Sequence, residues 1–134
     1  LCLLLLIKFA AITSLIESAK FWALLIIPVL GRLSILILFQ TTNYVREQGM
    51  GALLAQHYPK KLSIAIIFLS TLVTLFYLLA VNYRWQSLLL IVGLFLLLVF
   101  LRHLIVSRLG GMTGDTLGAA VEICEMYCLV FLAM

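Results

Sequence analysis

From Leu62 to Val81 the chain carries no charged side chain, and from Ser87 to about Leu101 it again carries none. Runs of this kind dictate the fold class. A helix of about 20 apolar residues crosses the ~30 Å hydrocarbon core of a bilayer. Phe21 to Phe39 and Leu117 to Met134 are of similar length with isolated charges, and Leu1 to about Ile16 is interrupted only by Lys8. Lipid offers no hydrogen bonds to a bare backbone, so spans must be helices or closed barrels, and no ten-residue alternating pattern suggests a barrel. The composition agrees: 66% of the 134 residues are hydrophobic and 10% charged, outside the range of ordinary soluble domains. The expected fold is all-α, a polytopic integral membrane protein with about five transmembrane helices in one domain over residues 1–134.

The formal charge of +4 is modest, and no basic cluster with interleaved aromatics points to nucleic acid. It fits loops facing an anionic lipid leaflet. With five spans the second and fourth connections share a side. They hold Arg46, Lys60, Lys61, Arg102 and Arg108, against Lys20 and Arg84 in the first and third. The positive-inside rule makes the former pair cytoplasmic. Trp22, Tyr83 and Trp85 suit the opposite interface. Cys2, Cys124 and Cys128 lie in apolar runs without a CxxC or a neighbouring histidine, so they read as packing residues. His57 and His103 are isolated and read as interfacial or structural.

Charges within the spans need a reason. Arg32 lies too deep in the second span to reach water easily and calls for an anionic partner, with Glu122 or Glu125 available. Lys8 either snorkels to an end or faces a polar interior. Pro28 and Gly31 predict a kink in the same span as Arg32. The connection Gln40 to Lys61 is long enough to be functional. Its Arg46 and Gly49-Met50-Gly51 turn can present a guanidinium and bare N–H groups to phosphate, and Ala52 to His57 reads as a short interfacial helix.

Arg108 to Glu125 holds four of the eight glycines and three of the five acidic residues. Glycines there allow a tight turn with exposed N–H groups, leading into a helix that starts near Asp115. At about 100° per residue, Asp115 and Glu122 fall within roughly 20° of each other, and Glu125 within roughly 80° of Asp115. Leu117, Val121, Cys124 and Cys128 cover the other face, while Gly118 and Ala119 leave room beside the acids. Asp115 can simply offset a helix dipole; Glu122 and Glu125 sit too far inside for that. Carboxylates beside a glycine turn, with arginines in reach, suit a Mg²⁺-assisted diphosphate site. Two classes stay open on these grounds: a metal-using phosphoryl or nucleotidyl-type transferase, or a small ion- or cation-coupled transporter.

The run Leu109-Gly-Gly-Met-Thr-Gly-Asp-Thr-Leu-Gly-Ala-Ala-Val-Glu122, followed by Glu125, resembles the carboxy-terminal signature of the cobalamin synthase family, the adenosylcobinamide-GDP ribazoletransferases. Pro28-Val-Leu-Gly-Arg32, Tyr44-Val-Arg46-Glu-Gln-Gly49-Met-Gly51 and Lys8 in Leu-Ile-Lys-Phe-Ala are similar to earlier parts of that family in the same order. The resemblance implies a multi-pass bacterial or archaeal inner-membrane enzyme. Its reaction joins adenosylcobinamide-GDP to α-ribazole or α-ribazole 5′-phosphate with Mg²⁺ and releases GMP. It further implies Asp115, Glu122 and Glu125 as catalytic carboxylates, Asp115 and Glu122 as metal ligands, Arg32, Arg46 and Arg108 as diphosphate clamps, and Gly110, Gly111 and Gly114 as a backbone cradle.

The family also has an amino-terminal motif of the Asp-Gly-x-Ala-Asp-x-x-Asp-Gly type, whereas Asp115 is the only aspartate here. The chain also starts without methionine. The expectation is a carboxy-terminal portion of a longer enzyme, inactive by itself.

Overall fold

The computed structural model describes residues 2–46, 51–52, 57–81 and 84–134, the side chain of Arg84 excepted. Among the described residues five long helices follow one another: α1 (Cys2–Glu17), α2 (Ala23–Thr41), α3 (Lys60–Ala80), α4 (Arg84–Leu109) and α5 (Gly114–Ala133). The all-α expectation holds. Four of them, α2 to α5, are long and apolar enough to cross a membrane. The first, α1, is equally oily but has 16 residues, about 24 Å of helix. The outer surface is hydrocarbon, with Phe9, Leu25, Phe68 and Phe76 each at least 70% exposed, as a lipid-facing bundle requires.

The last helix is the hub. It packs against α1, α2 and α4, while α3 closes the far side against α2 and α4. Its buried stripe contains Leu117, Ala120, Cys124, Cys128 and Leu132, at the i, i+3, i+4 spacing of one helix face. Both of its cysteines are therefore core residues, and all three in the chain are free thiols. Lys8 meets Glu122 and Lys20 meets the Leu132 carbonyl at 3.0 Å, so α1 runs parallel to α5. By contrast, Arg32 reaches Glu125 while Asn43 bonds Met112, so α2 runs antiparallel to it.

One boundary differs from expectation. The fourth helix continues past Leu101 to Leu109, which puts Arg102, His103 and Arg108 on the helix itself. No proline or glycine interrupts that segment. The stop comes at Gly110, whose φ of +73° is open to glycine at little cost. The fifth helix begins at Gly114 because Thr113 and Thr116 form a reciprocal capping box, with the Thr113 amide 2.8 Å from the Thr116 hydroxyl. The second helix runs on through Pro28 to Thr41. Its last turn is tied down by Arg102, whose Nε donates to the Thr41 carbonyl at 3.0 Å. The Gly49-Met50-Gly51 turn, the Ala52 to His57 helix and the interfacial Tyr83 fall largely or wholly outside the described residues.

The connections after α2 and after α4 are joined through their backbones. Val45 N–H donates to Met112 O at 3.0 Å and Met112 N–H to Asn43 O at 2.9 Å, a single parallel bridge between Tyr44 and Met112. Gly111 makes this approach possible, since a Cβ there would strike the Val45 side chain and lie 2.6 Å from the Asn43 carbonyl oxygen. A carbonyl held in the bridge cannot step aside. Gly111→Ala should therefore destabilise the chain by about 2 kcal/mol, measurable as a lower unfolding midpoint in detergent micelles, whereas Gly118→Ala, with open space around it, should leave the midpoint in place.

Candidate functional site

The bridge brings the two polar connections to one mouth. Just beyond Val45, the Arg46 guanidinium lies 3.8 Å from the Asp115 carboxylate, both side chains being well exposed at 64% and 92%. Asp115 is the second residue of α5. Its N–H and that of Gly114 belong to the first turn and have no intrahelical partner, whereas the Thr116 amide is taken by the Thr113 hydroxyl. Exposed Gly118 and Ala119 continue the same face downward. An anion entering here meets a guanidinium, two free amides and the positive end of a helix dipole.

The three candidate glycines divide by role. Gly110 N–H donates to Val106 O at 3.0 Å and ends α4. Gly111 is a contact residue of the bridge. Only Gly114 presents its backbone at the open start of α5. Arg108, exposed in the last turn of α4, flanks the same turn. Arg32 belongs elsewhere, about 15 Å of helix below Thr42.

A second group of charges lies below the mouth. Lys8 Nζ donates to Glu122 Oε2 at 2.7 Å and to Glu125 Oε2 at 2.9 Å, while Arg32 Nη1 donates to Glu125 Oε1 at 3.2 Å. The anionic partner expected for Arg32 is thus Glu125. Lys8 faces the interior, its side chain only 12% exposed. Each oxygen of Glu125 is occupied by a cation. Its place beside α2 depends on Gly31, where a Cβ would sit 2.8 Å from both Glu125 Cγ and Oε1. Two cations and two anions sum to zero, which suits a region where unpaired charge is costly.

This arrangement splits the acidic stripe. Asp115 opens outward, whereas Glu122 and Glu125 turn to Lys8, about 10 and 15 Å further along the axis. Among the described residues no group of three His, Cys, Asp or Glu side chains gathers where one metal ion could be held. Mg²⁺ commonly takes one or two carboxylates and completes its shell with substrate phosphates and water. Asp115 fits that pattern as a single open ligand; Glu125, with both oxygens engaged, does not.

A family model described as cobalamin-5-phosphate synthase matches residues 1–133. The chain belongs to that family. It is 47% identical over its whole length to an adenosylcobinamide-GDP ribazoletransferase of Pseudomonas fluorescens (strain Pf0-1), covering 53% of that protein. It is 45% identical over 93% of its length to one from Acinetobacter baumannii (strain ATCC 17978), covering 48% of it. A relative of the same name from Pseudomonas syringae pv. tomato is 39% identical over the whole chain. The chain spans about half the length of the curated relatives it matches. No solved structure matches it.

Sequence reasoning singled out Arg46, Asp115 and the glycine turn, and the fold brings them together. It named Gly31 only as a kink residue beside Pro28, and it did not single out the bridge through Asn43 and Val45. Nor did it pair Lys8 with the glutamates, although a countable signal existed, since the four charges within the apolar runs cancel. The two ends of α5 should respond differently to neutralisation. Glu125→Gln leaves Arg32 and Lys8 short of an anion and should lower unfolding free energy by about 3 kcal/mol. Asp115→Asn removes an exposed pair and should leave stability unchanged; denaturant titration in micelles reads both.

Proposed function

We propose that the protein this chain represents is an adenosylcobinamide-GDP ribazoletransferase of the inner membrane, with its Arg46–Asp115 mouth on the cytoplasmic side. In this reading it joins adenosylcobinamide-GDP to α-ribazole or its 5′-phosphate, giving adenosylcobalamin or its phosphate plus GMP. The observation that carries it is the convergence of two distant family-like segments, 43–46 and 110–115, on one open, anion-receptive helix start. The lysine and arginine asymmetry of the connections supports the orientation.

The chemistry asks little of the protein beyond position and charge. A ribazole hydroxyl oxygen attacks the phosphorus bonded to the cobinamide side, a new P–O bond forms, and the bond to the GMP oxygen breaks. We assign Arg46, beside Asp115, and Arg108, exposed in the last turn of α4, to clamping the diphosphate, since a guanidinium matches phosphate oxygens in bidentate geometry. The free amides of Gly114 and Asp115 add donors that need no reorganisation as negative charge shifts toward the leaving GMP. Asp115 would either take up the hydroxyl proton or hold Mg²⁺ beside the diphosphate, where that ion would supply charge neutralisation. Glu122 and Glu125 support this mouth from below. They are also the residues that suggested a transporter, and their pairing with Lys8 and Arg32 removes the free intramembrane carboxylates on which that reading depended.

In a bacterium lacking its own ribazoletransferase and expressing the protein, Asp115→Asn and Arg46→Lys should each reduce cobalamin formation by about 100-fold or more. The amount of protein in the membrane should not change. Cobalamin synthesis undiminished by Asp115→Asn would remove the mouth from the reaction.

A further inference from the structure

Two of the four charges within the bundle are not covered by it. The Arg32 side chain is 69% exposed and that of Glu122 43%, against 12% for Lys8 and 18% for Glu125. Arg32 is the central residue of the 19-residue α2, about 13 Å of helix from either end. Glu125 holds one of its nitrogens at that depth, and the remaining N–H donors of the guanidinium meet no acceptor among the described residues. Glu122 bonds through one oxygen only. Above Glu122, on the same face of α5, Gly118 and Ala119 are exposed, and nothing lies within 4 Å of the Cβ position at Gly118. This strip is bordered by Lys8 of α1 and Arg32 of α2. Acyl chains satisfy the hydrocarbon that Phe68 and Phe76 present elsewhere on the bundle, but they offer no acceptor to a guanidinium.

We propose that the strip from Gly118 to Glu122, with Arg32 beside it, is the docking face for a further membrane-spanning helix. That helix belongs to the part of the full-length protein outside this chain, and it turns hydrogen-bond acceptor oxygens toward Arg32. The small residues allow the close backbone approach by which helices associate in lipid. The free donors of Arg32 fix the height at which the approach is made. The chemistry of the occupant follows from the charge sum. Lys8, Arg32, Glu122 and Glu125 already cancel, so the incoming helix supplies hydroxyl, amide or carbonyl oxygens rather than another ionised group. Its source follows from length. The chain covers 53% of one ribazoletransferase relative and 48% of another, so a protein of that length carries about as much chain again. A covalently joined partner also meets the face at an effective concentration that a separate molecule does not reach.

The inference rests on family membership and on the exposed charges, not on the transferase reading, and its test reads proximity and stability without substrate. A photoreactive p-benzoylphenylalanine replaces Ala119 in the full-length protein in its membrane, with a protease site placed where this chain joins the rest. After irradiation and cleavage the two parts should stay linked. The same probe at Phe76, 75% exposed on α3, is the lipid-facing reference. A smaller change guards against the probe itself blocking the contact. Ala119→Leu should lower the unfolding midpoint of the full-length protein by about 5 °C, as overpacking does, whereas a leucine facing lipid leaves the midpoint in place. Capture of lipid, or of a second whole molecule, from position 119 would overturn the proposal, as would an Ala119→Leu midpoint equal to the parent's.

Discussion

Lys8, Arg32, Glu122 and Glu125 come from three helices and lie in a bundle whose outside is hydrocarbon. A single charge at such depth costs several kcal/mol, and removing one member of a pair strands its partner. The four are satisfied only when α1, α2 and α5 stand in one mutual register. The contacts of 2.7 to 3.2 Å among them therefore act as a registration device. Leucine packing alone would not supply it, because lipid tails are as apolar as the helix faces and helix association in lipid needs close packing or polar contacts. Gly31 belongs to the same device by letting Glu125 lie against α2.

Register set in the bundle has consequences at its end. With α2 antiparallel to α5 and held at Arg32, the chain leaving α2 passes the glycine turn at the height of Met112. There Asn43 and Val45 make the backbone bridge. The bridge carries Arg46 to Asp115, while the Thr113–Thr116 capping box fixes the start of α5 and leaves its first two amides open. The site is thus built in two layers. The lower one is neutral, with Lys8 and Glu125 largely covered and Arg32 more open, and the upper one is open and charged. That division leaves the charged end exposed while its supports stay still.

Much of this was legible in the chain. The uncharged runs gave the helical membrane fold, Arg32 announced a carboxylate partner, and the glycine–aspartate run marked the mouth. Other features were not legible, for reasons of geometry. Asp115, Glu122 and Glu125 look like one stripe because helical angle ignores distance along the axis, and it is the axial separation that leaves Asp115 at the mouth and the glutamates with Lys8. Gly110, Gly111 and Gly114 look like one cradle, yet the first ends a helix, the second admits the crossing backbone of the Asn43–Val45 segment and the third opens the next helix. Composition cannot assign those roles.

The sequence by itself determined the class of structure and the inventory of charges, because hydrophobic length and backbone hydrogen bonding leave a chain in lipid little choice but helices. It also fixed that the charges within the apolar runs could cancel. Only the tertiary structure decided which cation meets which carboxylate, and so which acid stays exposed at the mouth. That choice depends on the relative direction and height of α1, α2 and α5, which are set by contacts between residues more than ninety positions apart in the chain and have no local signature.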